Sequence, residues 1–189
     1  MQRVFLIHGW KGSPTSDWFL WARKELEKHG YKVFVPEMPD STFPKIGPWV
    51  TKIKETVGKP ERNDIFVGHS MGCQAILRYL ESLPSDTKIK KVILIAGFEK
   101  MKIAFFDVSA DRVYIKPWGK DPIDYPKIKK MADSWVCVFS DNDPGVPYHK
   151  NAEIFKSRLG AEIVLKKRMG HFSQEDGVTE LPFLLELIK

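Results

Sequence analysis

Short apolar runs and longer amphipathic stretches alternate along the chain. The apolar runs are nearly continuous, which is typical of strands that are buried on both faces of a parallel sheet. They occupy residues 4–8, 33–35, 65–68, 92–96, 135–140 and 162–166. The stretches between them place apolar side chains three or four positions apart, which predicts helices. We predict these helices at residues 17–29, 49–57, 71–82, 147–159 and 180–188.

The regular order of strands and helices predicts a doubly wound α/β fold. Right-handed crossovers place the connecting helices on the two faces of such a sheet. We therefore expect one domain over residues 1–189, with about six mainly parallel strands and helices on both faces. In this class of fold the reactive groups gather beyond the carboxyl ends of the strands. Residues that directly follow a strand are consequently the candidates for a functional site.

One long segment, residues 98–133, shows no clear periodicity. It is rich in aromatic residues and prolines and contains Met101, Phe105, Phe106, Tyr114, Pro117, Trp118, Pro122, Tyr125 and Pro126. A long irregular connection in a compact domain often covers a functional site. Ordinary packing over the edge of the sheet explains the same composition, and the sequence leaves both interpretations open.

The excess of lysine gives a net charge of +6 but does not indicate a nucleic-acid partner. The basic residues are scattered along the chain, in short runs at residues 88–91, 127–130 and 166–168. Aromatic residues do not interleave with them as a base-stacking surface requires. We therefore interpret the lysines as solvated faces of the protein.

The sequence contains no pattern of a membrane span, a secretory signal or a zinc site. Apolar stretches stay well short of the roughly 18 residues that a span needs, and the first strand begins without a signal-peptide pattern before it. The two cysteines, Cys73 and Cys137, lack the spacing of zinc ligands. We expect both to be buried, reduced thiols in a cytoplasmic protein without a metal ion or cofactor.

A strand, a Gly-X-Ser-X-Gly pentapeptide and a helix follow one another at residues 65–82. The pentapeptide is Gly68-His69-Ser70-Met71-Gly72. This order is the context that a nucleophile elbow requires, because the serine must stand at the apex of a very tight turn. The helix that follows offers free N–H groups to a developing oxyanion. A plain glycine-rich turn is the alternative, but it leaves the serine unexplained, so we predict that Ser70 is a nucleophile.

A nucleophilic serine needs a general base, and His171 is the candidate. It follows Gly170 in a loop just beyond the last predicted strand, where a mobile imidazole can reach the sheet edge. The other four histidines lie after the first strand, at a helix end, within the serine turn and at a helix start: His8, His29, His69 and His149. We expect His69 to point away from Ser70.

An acid must hold the base in the correct tautomer, and it normally lies between serine and histidine in this fold. Asp141 and Asp143 both follow the predicted strand at residues 135–140. Pro144 favours an extended backbone at Asp143, which suits a side chain that projects over the sheet end. Asp141 can instead bond to the backbone of its own turn. We prefer Asp143 and keep Asp141 as the alternative.

An oxyanion hole needs two N–H donors. The backbone N–H of Met71, directly after the nucleophile, is the first candidate. The second candidate is the backbone N–H of Trp10, in the loop after the first strand. Gly9 and Gly12 flank Trp10 and allow the backbone to approach a substrate closely.

The chain resembles the small α/β-hydrolases of the RBBP9/YdeN serine hydrolase family. The resemblance runs nearly from end to end and rests on the segments Leu6-Ile7-His8-Gly9, Asp17-Trp18-Phe19-Leu20-Trp21, Pro36-Glu37-Met38-Pro39, Val67-Gly68-His69-Ser70-Met71-Gly72, Ser140-Asp141-Asn142-Asp143-Pro144-Gly145-Val146-Pro147 and Gly170-His171-Phe172. It implies a minimal hydrolase core and a Ser70–Asp143–His171 charge relay. It leaves the substrate open.

Two functions compete at this point. The first is hydrolysis of a small carboxylic ester, or of a thioester or amide, through an acyl-Ser70 intermediate. The second is a non-catalytic or weakly catalytic protein-binding module on a hydrolase scaffold, because a fold does not fix a function. The three groups Ser70, Asp143 and His171, each predicted at a strand end, favour the enzyme and a small acyl substrate.

Overall fold

Six parallel strands form a sheet in the computed structural model. The structure describes residues 1–102 and 109–189, and it describes the side chains of all of these except residues 109–112 and 120. The strands are β1 (Arg3–Ile7), β2 (Lys32–Phe34), β3 (Ile65–His69), β4 (Ile89–Ile95), β5 (Ala132–Ser140) and β6 (Glu162–Lys166). The helices are α1 (Phe19–Lys28), α2 (Ile46–Val57), α3 (Met71–Glu81), α4 (Ser109–Lys120), α5 (Tyr125–Lys129), α6 (Tyr148–Leu159) and α7 (Pro182–Leu187). A short 3₁₀-helix spans Gln174–Asp176.

The strands lie in the order β2-β1-β3-β4-β5-β6, and each neighbouring pair is parallel. The predicted α/β fold with about six mainly parallel strands is therefore confirmed. The chain first moves outward from β1 to β2 and then returns to the other side of β1 to form β3. This reversal opens a crevice beyond the carboxyl ends of β1 and β3, where ligands bind in open α/β sheets.

Helices cover both faces of the sheet because alternate residues of each strand point to opposite sides. In β1, Phe5 and Ile7 belong to a core cluster with side chains of α2, α3, α5 and α6. Val4 and Leu6 belong to a second cluster with side chains of α1 and α7. We refer to these two sides as the α3 face and the α1 face.

Two helices, α4 and α5, lie within the segment for which the sequence predicted no regular structure. Their side chains Ile115, Trp118, Tyr125 and Ile128 pack into the core on the α3 face. Part of this segment thus packs over the sheet, as one of the two interpretations expected. The aromatic residues Phe105 and Phe106 lie outside the described residues.

Several lysines of the basic runs donate hydrogen bonds to carbonyl groups at or near the ends of helices. The Nζ atom of Lys127 lies 2.5 Å from the carbonyl oxygen of Glu81, the last residue of α3. Lys91 reaches the carbonyl oxygen of Leu187 at the end of α7 at 2.6 Å. Cations are favourable there because the last carbonyls of a helix lack partners and carry partial negative charge. Some of the lysines therefore stabilise helix ends.

A buried ion pair joins Arg3 to Asp64 at the amino ends of β1 and β3. The two nitrogen–oxygen distances are 2.7 and 2.6 Å, and the Asp64 side chain is 1% exposed. Asp64 also accepts the backbone N–H of Glu61 at 2.8 Å. The pair therefore shields a carboxylate that could not remain charged alone at this depth.

Replacing Asp64 by alanine should lower the free energy of unfolding by about 3 kcal/mol. The change removes the two short bonds to the Arg3 guanidinium and leaves it Glu61, at 3.5 Å, as an acidic neighbour. Urea denaturation measures this loss. Asp133→Ala is the matched control, since its bond to Arg62 is exposed on both sides. The control should cost less than about 1 kcal/mol. Equal losses in the two variants would contradict the prediction.

Candidate active site

Ser70 stands at the apex of the turn between β3 and α3. Its φ and ψ angles are 52° and −116°, a strained conformation for a residue with a side chain. The flanking glycines make the turn possible. A Cβ atom at Gly68 would lie 2.8 Å from the backbone nitrogen of Cys73, and one at Gly72 would collide with the carbonyl oxygen of Ile7. The tight turn that the pentapeptide predicts is therefore the turn that forms.

Ser70, His171 and Asp143 form one chain of hydrogen bonds. The Ser70 Oγ atom lies 2.8 Å from Nε2 of His171. The Nδ1 atom of the same ring lies 2.8 Å from Oδ2 of Asp143. With the proton on Nδ1, the ring donates to Asp143, and its Nε2 lone pair faces the serine hydroxyl. The three residues that follow β3, β5 and β6 thus meet at one edge of the sheet.

Asp143, and not Asp141, is the carboxylate in contact with His171. The other oxygen of Asp143 accepts the backbone N–H groups of Gly145 and Val146, each at 2.8 Å. Its side chain is only 2% exposed. Asp141 instead accepts the backbone N–H of Arg168 at 2.8 Å. Asp143 is thus the aspartate that orders its own turn, whereas Asp141 joins this turn to the segment after β6 and does not make the local bond that the sequence suggested. Of the two, the Asp143 carboxylate is the one that reaches the imidazole.

The loop that carries His171 is held by Asp176, a residue that the sequence analysis did not single out. One Asp176 oxygen accepts the backbone N–H of His171 at 2.7 Å and the hydroxyl of Ser173 at 2.7 Å. Gly170 has a φ angle of 52°, and a Cβ atom there would collide with this carboxylate. The spacing of Ser173 and Asp176 is that of a capping box, the signal that could have revealed the contact.

His69 forms a hydrogen bond to the same loop. As expected, it does not bond to Ser70. Its Nε2 atom lies 2.7 Å from the carbonyl oxygen of His171, to which it donates. Burial lowers the pKa of His69 to about 3, so the ring is neutral at neutral pH and keeps the proton for this bond.

Asp17 contacts the His171 loop from the segment before α1. Its Oδ1 atom accepts the backbone N–H of Gln174 at 2.8 Å. Burial raises the pKa of Asp17. Asp17 has a positive φ angle of 51°, which neither a helix nor a strand pattern in the sequence indicates.

The remaining three histidines contact other parts of the fold. His8 is fully buried, accepts the backbone N–H of Met38 at 3.1 Å and has its pKa lowered by burial. His29 follows the last residue of α1 and its Nδ1 atom lies 2.8 Å from the carbonyl oxygen of Glu25. His149 lies in the first turn of α6, with its ring against that of Tyr148.

The two backbone groups predicted to bind an oxyanion belong to the segments on either side of Ser70. Met71 is the first residue of α3, a position whose N–H precedes the first bond within the helix. Trp10 follows Gly9, at which a Cβ atom would lie 3.1 Å from Cβ of Ser70. The loop after β1 therefore passes directly beside the serine.

The thiols of Cys73 and Cys137 are free and buried, as predicted, and burial raises the pKa of both. Within residues 1–102 and 109–189, no three histidine, cysteine or acidic side chains come together in a group that could hold a metal ion. In the same ranges, none of the helices combines the length and apolar character needed to cross a membrane.

Comparisons with known proteins identify the family of this chain. A family model described as serine hydrolase matches residues 4–189. The chain belongs to the serine hydrolase family. Among its relatives in this family, the YdeN protein of Bacillus subtilis (strain 168) is 27% identical over 187 residues, which cover 99% of this chain and 94% of YdeN. The serine hydrolase RBBP9 of Rattus norvegicus is 26% identical over 176 residues, or 93% of this chain and 86% of RBBP9.

Solved structures show the same fold for this serine hydrolase. The crystal structure of the B. subtilis ydeN gene product superposes with a TM-score of 0.89 and 26% identity, and covers 100% of this chain and 97% of that one. Est1E of Butyrivibrio proteoclasticus, solved with ferulic acid, superposes with a TM-score of 0.71 at 16% identity over 100% of this chain and 90% of its own. The second likeness concerns the fold alone. The resemblance stated from the sequence is confirmed.

Proposed function

We propose that this serine hydrolase cleaves small carboxylic esters through an acyl-Ser70 intermediate. The observation that supports the proposal is the continuous hydrogen-bond chain from Ser70 through His171 to Asp143, with 2.8 Å at both steps. Thioesters and amides are alternative substrates for the same chemistry. The proposed reaction requires no metal ion and no cofactor.

In the proposed reaction, His171 acts first as a base and then as an acid. Its Nε2 atom takes the Ser70 proton while Oγ attacks the ester carbonyl carbon. The backbone N–H groups of Met71 and Trp10 stabilise the negative oxygen of the tetrahedral intermediate. His171 then gives the proton to the leaving alcohol, and the acyl group stays on Ser70. A water molecule, activated by the same imidazole, releases the acid.

Asp143 acts through His171. Its Oδ2 atom accepts the Nδ1 proton, which keeps the lone pair of Nε2 directed at Ser70 and stabilises the imidazolium ion. The two backbone N–H groups on Oδ1 fix the carboxylate in this orientation.

A fluorophosphonate probe tests the proposal directly, because it phosphonylates only an activated serine. The native protein should be labelled, and peptide mapping should locate the label on Ser70. Ser70→Ala should remove the labelling, whereas Ser157→Ala should retain it. Ser157 is an exposed residue of α6 whose hydroxyl bonds to its own helix. An unlabelled native protein, or equal labelling of Ser70→Ala, would refute the proposal and favour the binding-module hypothesis.

A further inference from the structure

Two exposed apolar side chains belong to segments that contact each other at the surface. Phe43 is 43% exposed and Val113 is 67% exposed, which is unusual for large apolar side chains in this protein. The ring centroid of Phe43 lies 4.8 Å from that of Tyr114, the neighbour of Val113 in α4. Apolar groups that cluster at the surface commonly mark a binding site.

The loop after β1 connects this contact to the turn that carries Ser70, because a Cβ atom at Gly9 would lie 3.1 Å from Cβ of Ser70. Phe43 lies in the loop after β2, and Trp10 lies in the loop after β1. The strand β1 lies between β2 and β3 in the sheet, and Ser70 directly follows β3. The indole N–H of Trp10 donates to the carbonyl oxygen of Thr42 at 2.9 Å and so ties the two loops together. We call Trp10, Phe43 and Tyr114 the aromatic cluster.

The carboxyl-terminal part of α4 is bonded to the same loop. The indole N–H of Trp118 donates to the carbonyl oxygen of Pro44 at 3.2 Å, and Trp118 itself is buried. The loop that contains Phe43 is therefore bonded to Trp10 through Thr42 and to Trp118 of α4 through Pro44. A surface of this kind can accept an apolar group without a large ordering cost.

Trp10 and the loop that carries His171 pack on opposite faces of the sheet. Trp10 and the buried residues of α4 pack on the α3 face. Phe172, which follows His171, is buried on the α1 face. In the proposed reaction His171 protonates the leaving group, so the leaving group must lie on the side of His171. The acyl group then extends to the other side, toward the aromatic cluster.

We infer, on the basis of the proposed function, that the aromatic cluster binds the acyl part of the substrate and that the enzyme favours esters of apolar acids over acetate esters. Each methylene group that the cluster removes from water should raise kcat/KM about fourfold, from the usual free energy of burying a methylene. A butanoyl ester, with two more methylenes than an acetyl ester, should be favoured by roughly fifteenfold.

The test compares p-nitrophenyl butanoate with p-nitrophenyl acetate, which share one leaving group. Phe43→Ala should reduce the ratio of the two kcat/KM values about fivefold or more, with acetate changed by less than about twofold. Leu20→Ala is the matched control, since Leu20 is 42% exposed on α1, on the other face. The control should leave the ratio unchanged.

The outcomes separate this inference from the proposed function. If the native enzyme cleaves both esters and Phe43→Ala leaves the ratio unchanged, or lowers both rates equally, the acyl-binding role is overturned and the proposed function stands. If the ratio falls equally in Leu20→Ala, the role is likewise overturned. If the native protein cleaves neither ester and resists the fluorophosphonate, both are overturned.

Discussion

Replacing His171 by alanine should lower kcat for ester hydrolysis by about a millionfold, because Ser70 then has no group that can take its proton. The hydrogen bond of 2.8 Å between Nε2 and Oγ is the contact that the change removes. The loss should appear in kcat, since the imidazole acts in the transition state and contributes little to binding of the ground state. Steady-state kinetics with an activated ester measure the effect.

The same experiment should show that the two residues act as a unit. Ser70→Ala alone, His171→Ala alone and the double variant should all lose activity to about the same residual level, because either change disables the one proton transfer. His149→Ala is the control, since this histidine lies in α6 against Tyr148. A loss of less than about a hundredfold in His171→Ala would contradict the assignment.

The pH profile adds a second check on which histidine acts. Burial holds the pKa of His69 near 3, so His69 stays neutral across the range in which most enzymes are assayed. A fall of kcat/KM as the pH drops from 7 toward 5 therefore reports the protonation of another group. His69→Gln should preserve that acid limb, whereas an acid limb that vanished in this variant would assign the base to His69.

Much of the sheet could be predicted because its strands are buried on both faces. Continuous apolar runs such as that at residues 65–68 are the direct signature of that environment. The helices were less regular. The helix α2 begins at Ile46, three residues before the predicted start at Trp49, because Pro48 lies in its first turn, where a missing N–H costs nothing.

The helices α4 and α5 escaped prediction for related reasons. Pro117 lies inside α4, and proline in a helical pattern normally indicates an end. The five-residue α5 is too short to show a period, and the side chain of Asp124 caps it by accepting the N–H of Lys127 at 3.0 Å. Packing on the α3 face, which sequence periodicity cannot show at this length, holds both in place.

Some residues of the candidate site could be predicted from the sequence, and others could not. Ser70, Asp143 and His171 could be proposed because each follows a strand and belongs to a local motif whose chemistry has a known order. Asp17 could not, because it accepts the backbone N–H of Gln174, a residue far away in the chain. Asp176 was overlooked, although its spacing from Ser173 is that of a capping box. A carboxylate that bonds only to a distant backbone group, as Asp17 does, leaves no spacing pattern in the sequence.

Asp143→Asn should lower kcat by about ten-thousandfold while the turn stays intact. The Oδ1 atom of Asp143 accepts two backbone N–H groups, and in the variant the amide oxygen is the atom that can replace it. The amide NH₂ group must then face Nδ1 of His171. Since both would be donors, the ring adopts the other tautomer, and its protonated Nε2 can no longer take the Ser70 proton.

Asp141→Asn separates this effect from a general disturbance of the turn. Asp141 lies two residues away and accepts the N–H of Arg168, so the amide oxygen can keep that bond without touching the imidazole. Its kcat should fall less than about tenfold, because the tautomer of His171 is preserved. A similar loss in both variants would mean that the order of the turn, and not the charge and orientation of Asp143, sets the rate. A large loss in Asp143→Asn alone, with unchanged resistance to urea, would instead place the acid function on that one carboxylate.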